Sequence, residues 1–257
     1  MTRSPGRTPG VSGRAPRAGR CTSLPPVRAI VLLDGEPRFR PYPFALPLDG
    51  AVGRAVADAT RLLARTAGRF DGPIAFCHGI SPAGAVLRRS GRYSEAIVVF
   101  EEPTLAYRLG FALGVQLFVE RDDGEILFQL RGRSIGRDPL LWTASASGGL
   151  RPGEEPHFAL LADAAEEIGL LERDLDHLRP VAVCADDDTG SALVVYHARL
   201  GSGAEPKPDG TKVAELRWAR SPAELGVQVS GDTLACWDAL ERSRAVARPS
   251  QAPASPP

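Results

Sequence analysis

The chain is poor in the residues that would declare a chemistry outright. Its 4 cysteines, Cys21, Cys77, Cys184 and Cys236, are scattered and contain no CxxC pair. That spacing fits neither a zinc site nor a dense disulfide framework, and it leaves ordinary thiols of a reducing cytoplasm. The histidines His78, His157, His177 and His197 have no ligand spacing. Lysine is nearly absent, the basic residues being almost all arginine; this reads as genome composition, although arginine suits phosphate. The formal net charge is +0, so no whole-chain field attracts nucleic acid or an acidic membrane. No apolar run approaches the ~20 residues of a membrane-spanning helix, and no helix-turn-helix segment is evident. There is no nucleophile elbow, and Gly110–Gly114 lacks the pattern of a dinucleotide fingerprint.

What remains is a chain long enough to bury about 70–75% of its unfolded surface. Residues 1–26 are rich in Arg, Pro, Gly and Ser, contain no acid, and read as a disordered tail; residues 246–257 read the same way. Between them the elements alternate. In 27–108 we expect a strand over Val27–Leu33, an irregular stretch at Arg38–Pro47, and a helix striped by Val52, Val56, Ala59, Leu62 and Leu63. A turn at Phe70–Pro73 and a strand at Ile74–His78 follow, then a strand pair, Ala85–Arg89 and Ser94–Phe100, around Ser90-Gly91. In 109–245 a hairpin runs through Leu113–Arg121 and Ile126–Arg131 about Asp122-Asp123-Gly124. Strands are expected at Leu140–Ser145, Val181–Ala185, Ala192–Ala198 and Val213–Ala219. The last helix is expected at Asp232–Arg244, with Asp232 as its N-cap. Trp142 and Trp218 read as core or rim residues. The patterning alone gives a mixed α/β domain.

The most specific stretch is Gly148-Gly149-Leu-Arg-Pro-Gly-Glu154 followed by Glu166-Glu167-Ile-Gly-Leu170. Gly148 and Gly149 permit positive φ or close backbone approach. Pro152-Gly153 is a turn signal. Phe158, Leu161, Ala162, Ala165 and Ile168 recur at helical steps, and Gly169 stands where a glycine ends a helix. Asp163, Glu166 and Glu167, at i, i+3 and i+4, share one face of that helix. Three carboxylates on one turn repel by a few tenths of a kcal/mol per pair. A divalent cation relieves that, and Mg²⁺ is usually held by one or two carboxylates plus substrate phosphates and water. The plain alternative is a solvated acidic face.

This segment resembles the Nudix box, G-x5-E-x7-R-E-U-x-E-E-x-G-U with U aliphatic. Gly148, Glu154, Glu166, Glu167, Gly169 and Leu170 match at the required spacings. Ala162 stands where the family has Arg and Asp163 where it has Glu, which points to an altered metal site. The resemblance extends over roughly 110–245. It implies an α/β fold, a Nudix-like α/β/α sandwich with a mixed sheet, preceded by an α+β N-terminal extension. That gives four segments: tail 1–26, extension 27–108, Nudix domain 109–245 and tail 246–257.

By the same resemblance, the metal ligands are Glu166 and Glu167, then Asp163, with Glu154 as a ligand or a loop support. The ion is Mg²⁺, or alternatively Mn²⁺. Catalysis is assigned to Glu166, Glu167 and, as general base, Glu215 in Ala-Glu-Leu-Arg-Trp. Asp186–Asp188 and Glu205 are weaker choices for the base. Arg131 and Arg133 are candidates to clamp phosphate, with Gly148 and Gly149 beside the substrate. The expected activity is Mg²⁺-dependent cleavage of a nucleoside diphosphate linked to another moiety. A nucleotide sugar is preferred, because enzymes acting on such substrates often carry an N-terminal extension. The expected partner is a small-molecule nucleotide, with neither nucleic acid nor membrane; the setting is cytoplasmic, and homodimers are frequent in the family. The rival readings are a Nudix-fold sensor without catalysis and a plain α/β domain with a decorative acidic helix.

Overall fold

The structure, a computed structural model, describes residues 28–247 except 45, 67–70 and 227. The expected tail at 1–26, residues 248–257 of the expected tail 246–257, Val27 of the expected first strand and Phe70 of the expected turn lie outside the described residues.

One curled sheet runs through the whole described chain. Its strands are β1 (Arg28–Leu32), β2 (Arg38–Pro41), β3 (Pro73–Ile80), β4 (Ala85–Arg92), β5 (Phe111–Glu120), β6 (Ile126–Arg131), β7 (Trp142–Thr143), β8 (Ala146–Gly149), β9 (Leu175–Asp186), β10 (Ser191–Leu200) and β11 (Val213–Ala219). The main order is β1-β9-β10-β5-β3-β4-β2, with β11-β6-β7 as a branch and β8 beside β5. β5 and β10 are parallel from Ser191↔Ala112 to Arg199↔Glu120. The opposite edge of β5 is divided among three antiparallel neighbours: β3 at Ala112, β8 from Gly114 to Leu117, and β6 at Glu120.

Helices cover both faces. α4 (Pro156–Ile168) supplies Leu160, Ala164 and Ile168 to a core shared with Val115, Leu117 and Val119 of β5. α5 (Gly231–Ala247) supplies Ala235, Cys236, Ala239 and Leu240 to a second core with Phe118, Ala182 and Val195. Odd and even residues of β5 thus feed opposite layers, as strand alternation requires. The result is an α/β/α sandwich on a mixed sheet. In the earlier part, α1 (Gly50–Arg65), α2 (Tyr93–Glu101) and the short α3 (Ala106–Leu109) close a third core around Phe76 and Ala112. Strands from 28–92 extend the sheet at both ends: β1 pairs with β9, and β3 with β5.

Several local expectations are corrected. Ser94–Phe100 is not a strand but most of α2. The Asp71 carboxylate accepts the Ser94 N–H at 2.7 Å, and Glu95 accepts the Arg92 N–H at 2.9 Å. These caps, with Ala96, Val98 and Val99 packed on α1, outweigh a β-branched composition. Arg38–Pro41 is a short strand parallel to β4, with Pro41 at its end, where a missing donor costs least. Ala146–Gly149, where the glycine pair stands, form a strand, and the expected Leu140–Ser145 strand contracts to Trp142–Thr143. The last helix begins at Gly231; the Ser230 hydroxyl accepts the Thr233 N–H at 3.3 Å, so Ser230, not Asp232, caps it. That helix also extends through residues 246 and 247, the first of the expected C-terminal tail.

Candidate active site

α4 enters with Pro156 in its first turn, which needs no donor there, and leaves through Gly169 at φ 69. Its buried face is Pro156, Ala159, Leu160, Ala164, Glu167 and Ile168. Phe158, expected in the stripe, is 68% exposed. The helix is therefore rotated by about one residue from the expected face, and the rotation sorts the three acids. Glu167 is only 5% exposed, Asp163 is half-buried, and the Glu166 side chain is 58% exposed.

Glu167 is held from two strands. Its carboxylate accepts Gln129 Nε2–H from β6 at 3.0 Å and the Ser147 N–H from β8 at 3.1 Å. Burial pushes its pKa up, against the pull of those donors and of Arg131 and Lys212. Asp163 is pushed up to about 7, first by burial and then by the charge of Glu167, while Lys212 opposes the rise. A carboxyl that is uneasy for want of positive charge is what crowding in a low-dielectric crevice produces.

Gly148 makes room for this. A Cβ there would lie 2.0 Å from Asp163 Oδ2. The glycine is required by close approach rather than by positive φ, because it sits in a strand. Gly114 has a related role: its Cβ would meet the Gly148 carbonyl oxygen at 2.5 Å.

Lys212, one of only two lysines in the chain, reaches into the acid group. Its Nζ lies 2.7 Å from Glu166 Oε2. Burial works against its charge, but Glu166, Glu167 and Asp163 together lift its pKa. The turn that presents it is wound on Asp209, whose carboxylate accepts the N–H groups of Thr211, Lys212 and Val213.

Across β8 lies a cavity of about 170 Å³, floored by β5 and Ser147–Gly149 and walled by Tyr93, Phe100, Arg131, Arg137 and Asp232. By strand alternation Ser147 faces it, while Gly148 faces α4. Arg131 connects the two sides. It lines the cavity, its charge acts on Glu167, and its Nε–H donates to the Arg137 carbonyl at 3.0 Å. Arg137 is committed elsewhere, to Ser191 Oγ at 2.8 Å, to Asp232 at 3.0 Å and over the Phe100 ring at 3.8 Å.

The structure thus brings together Asp163, Glu166, Glu167, Gly148, Gly149 and Arg131. Glu154 stands at the edge: its carboxylate accepts the Arg151 N–H at 2.9 Å and its charge reaches Asp163. Glu215 is not brought in; it is exposed on β11 and paired with Arg217 at 2.8 Å. Arg133 is exposed and makes no ion pair among the described residues. Of the weaker choices, Glu205 pairs with Lys207, and Asp187 accepts the Tyr107 hydroxyl at 3.0 Å. Sequence reasoning missed Lys212, Gln129, Gln116, Arg137 and Asp232. The legible signals were a rare lysine in an arginine-rich chain and a single glutamine inside each apolar strand, in Gly-Val-Gln-Leu-Phe and Leu-Phe-Gln-Leu.

Residues 110–231 match the NUDIX domain model. The isopentenyl-diphosphate Delta-isomerase of Nocardia farcinica is 33% identical over 152 residues, covering 57% of this chain and 83% of that enzyme. The chain belongs to the Nudix family. The Streptomyces coelicolor protein of the same name is 32% identical over 133 residues, covering 51% of this chain and 66% of that one. Among solved structures, a Nudix hydrolase from M. smegmatis aligns with TM-score 0.40 at 20% identity, covering 55% of this chain and 88% of that one. An Ap4A hydrolase from C. elegans aligns with TM-score 0.40 at 16% identity, covering 52% and 96%. The Nudix fold expected from the box stands. Family membership supports the expected enzyme class, a hydrolase acting on phosphoanhydride bonds. No helix among the described residues is long and apolar enough to cross a membrane.

Proposed function

We propose that the chain is a divalent-metal-dependent hydrolase of an organic diphosphate, with nucleoside diphosphates linked to a sugar as the preferred class. The observation that carries this reading is Asp163, its carboxyl held at about 7 beside Glu167 in a crevice shaped by Gly148. The residues fit a hard cation. Among the described residues no group of three or more His, Cys, Asp and Glu is arranged to hold an ion. Mg²⁺, however, asks for only one or two protein carboxylates, the rest being phosphate and water. Asp163 and Glu167 supply those two; Glu154 is the outlying support, and Glu166 is drawn outward by Lys212. An ion held there supplies charge neutralisation at the phosphates and a more acidic water.

The remaining roles fall to the chain itself. Arg131, with its terminal amino groups free of hydrogen bonds among the described residues, orients phosphate oxygens from the cavity side. Gln129 and the Ser147 N–H fix Glu167 in one rotamer. Glu166, the solvent-facing acid, accepts the proton as water attacks one phosphorus and the bridging P–O bond breaks, leaving a monophosphate and a phosphorylated product. Incubation with Mg²⁺ and a panel of nucleoside diphosphate derivatives, followed by chromatography for monophosphate, tests this. No Mg²⁺-dependent release from any member of the panel rejects the hydrolase.

The named relatives favour a second reading, isomerisation of isopentenyl diphosphate. One feature weighs against it. Moving a carbon–carbon double bond needs an acid and a base opposed across an apolar pocket, whereas the lining of this cavity includes the charged Arg131, Arg137 and Asp232 beside its apolar residues. Isopentenyl diphosphate followed by proton NMR separates the two: a shifted double bond with no phosphate release would replace the hydrolase.

A further inference from the structure

Two residues that line the cavity carry hydrogen-bond acceptors that the protein does not satisfy. Asp232 Oδ1 and Gln116 Oε1 are both buried and without a partner, and both residues line the cavity. A buried acceptor left unpaired is costly, and each instance in a folded chain calls for a partner outside it. Among the donors around Asp232 and Gln116, Arg137 and Ser230 already have other acceptors. Arg137 gives its hydrogens to Ser191, the Thr189 carbonyl and Asp232 Oδ2. The Ser230 hydroxyl goes to Thr233 Oγ1, and Gln116 Nε2 to the same oxygen at 3.4 Å.

A bound molecule can supply the missing donors, and the surroundings say of what kind. Arg137 already neutralises Asp232, and Arg131 adds a second positive charge, so an ammonium group is repelled and a neutral hydroxyl is favoured. The volume of about 170 Å³ falls below the roughly 300–1,000 Å³ of pockets that take whole drug-sized ligands, so it suits one monosaccharide-sized group. Tyr93, from the segment before the Nudix domain, is one of the lining residues.

We infer that this cavity is the specificity site for the non-nucleoside half of the substrate, and that Asp232 and Gln116 select it by accepting hydrogen bonds from its hydroxyls. The inference deepens the hydrolase reading but rests on it only for the diphosphate. Residues 28–109 then have a functional task as well as a structural one, because α2 supplies a wall of the site.

The test is equilibrium calorimetry on the full chain with Ca²⁺ replacing Mg²⁺, so that binding is read without turnover. The ligands are nucleoside diphosphates carrying a pentose or hexose, and the same compounds with one sugar hydroxyl at a time replaced by fluorine, which keeps size but donates nothing. At least one replacement should weaken binding about tenfold or more, as expected for a hydrogen bond to a charged acceptor. Asp232→Asn, which turns an NH₂ toward the cavity, should remove that discrimination while leaving inorganic diphosphate affinity unchanged. Gln116→Met, which keeps the Arg137–Asp232 pair intact, should reduce the discrimination and provides the same reading if Asp232→Asn folds poorly. Equal affinity for every fluorinated compound, or no binding of any sugar derivative, overturns the inference. Discrimination without hydrolysis in Mg²⁺ would overturn the hydrolase and leave the cavity assignment standing.

Discussion

At the scale of the residue, Asp163 and Gly148 make one device, and each gives a prediction. The Asp163 carboxyl stands at about 7 against an ordinary 3.8. Its folded-state pKa is raised, so the unfolded chain loses this proton first. The corresponding stability is present in full below pH ~4 and is lost as pH rises to about 7. Because Glu167 is coupled to Asp163, the proton belongs to the pair. Asp163→Asn should therefore abolish activity yet stabilise the metal-free protein at pH 8, by on the order of 3 kcal/mol. Melting curves in chelator from pH 5 to 9 check this: wild type should lose stability up to about pH 7 and then level off, and the variant should stay flat by comparison. Parallel curves for the two proteins would mean that Asp163 titrates as an ordinary carboxyl. Gly148→Ala acts on the same atoms from the other side. The new methyl, 2.0 Å from Oδ2, is accommodated by swinging the end of a side chain rather than by moving backbone. Turnover should fall about 100-fold or more while Tm changes little, since misplacing a reacting group by about 1 Å costs that much. A large fall in Tm with normal activity per folded molecule would show that β8, not Asp163, gives way.

At the scale of the element, the strands with strong alternation and clear turns were readable: β6 and β11 lie at the expected residues, and β5 within two of them. The acidic helix was also readable, since its start, its glycine stop and its charge cluster all act locally. Its rotation was not. Phe158 is as apolar as Leu160, and only the shape of the face presented by β8 and β5 decides which of them is buried. The site was legible to the same extent: the acids on α4 come from one continuous stretch, whereas Lys212, Arg137 and Asp232 come from loops and a helix start far along the chain. α2 was misread because its composition is that of a strand and its determinant is remote: Asp71 lies across the sheet edge from Ser94. Asp71→Ala should accordingly cost about 1–2 kcal/mol, the range for a lost N-cap. It removes the acceptor of the Ser94 N–H and the partner of Arg92 at 2.8 Å. Urea unfolding measures this, and a midpoint unchanged from wild type would return the stability of α2 to its packing on α1 alone.

At the scale of the whole molecule, the segment before the Nudix match joins the rest of the sheet at two edges of unequal strength. β1 pairs with β9 from Arg28↔Asp186 to Leu32↔Ala182, whereas β3 meets β5 at only Phe76↔Ala112 and Cys77↔Phe111. Beside that junction His78 stacks on Tyr42 with ring centroids 4.0 Å apart and accepts Arg89 Nε–H at 3.3 Å. Gly110 lies against it so closely that a Cβ would come within 2.7 Å of Nε2. Burial, then the Arg89 charge, lowers the His78 pKa to about 4. The folded-state value is depressed, so this contribution is whole above pH 6.5 and is lost as pH falls from 6.5 towards 4. Protonation sets a cation against Arg89 at the one place where the two halves of the sheet are most thinly joined, so acid should open the junction before it melts either core. Allowing for partial exposure, the effect should be about 1–2 kcal/mol. Hydrogen exchange at pH 5 against pH 7.5, corrected for the intrinsic rate, should show protection lost first in β3 and α2, while β9 and β10 stay closed. His78→Gln keeps an acceptor for Arg89 and carries no proton to gain, so it should hold β3 closed at pH 5. Equal opening of wild type and variant at pH 5 would place the acid-sensitive joint somewhere other than this histidine.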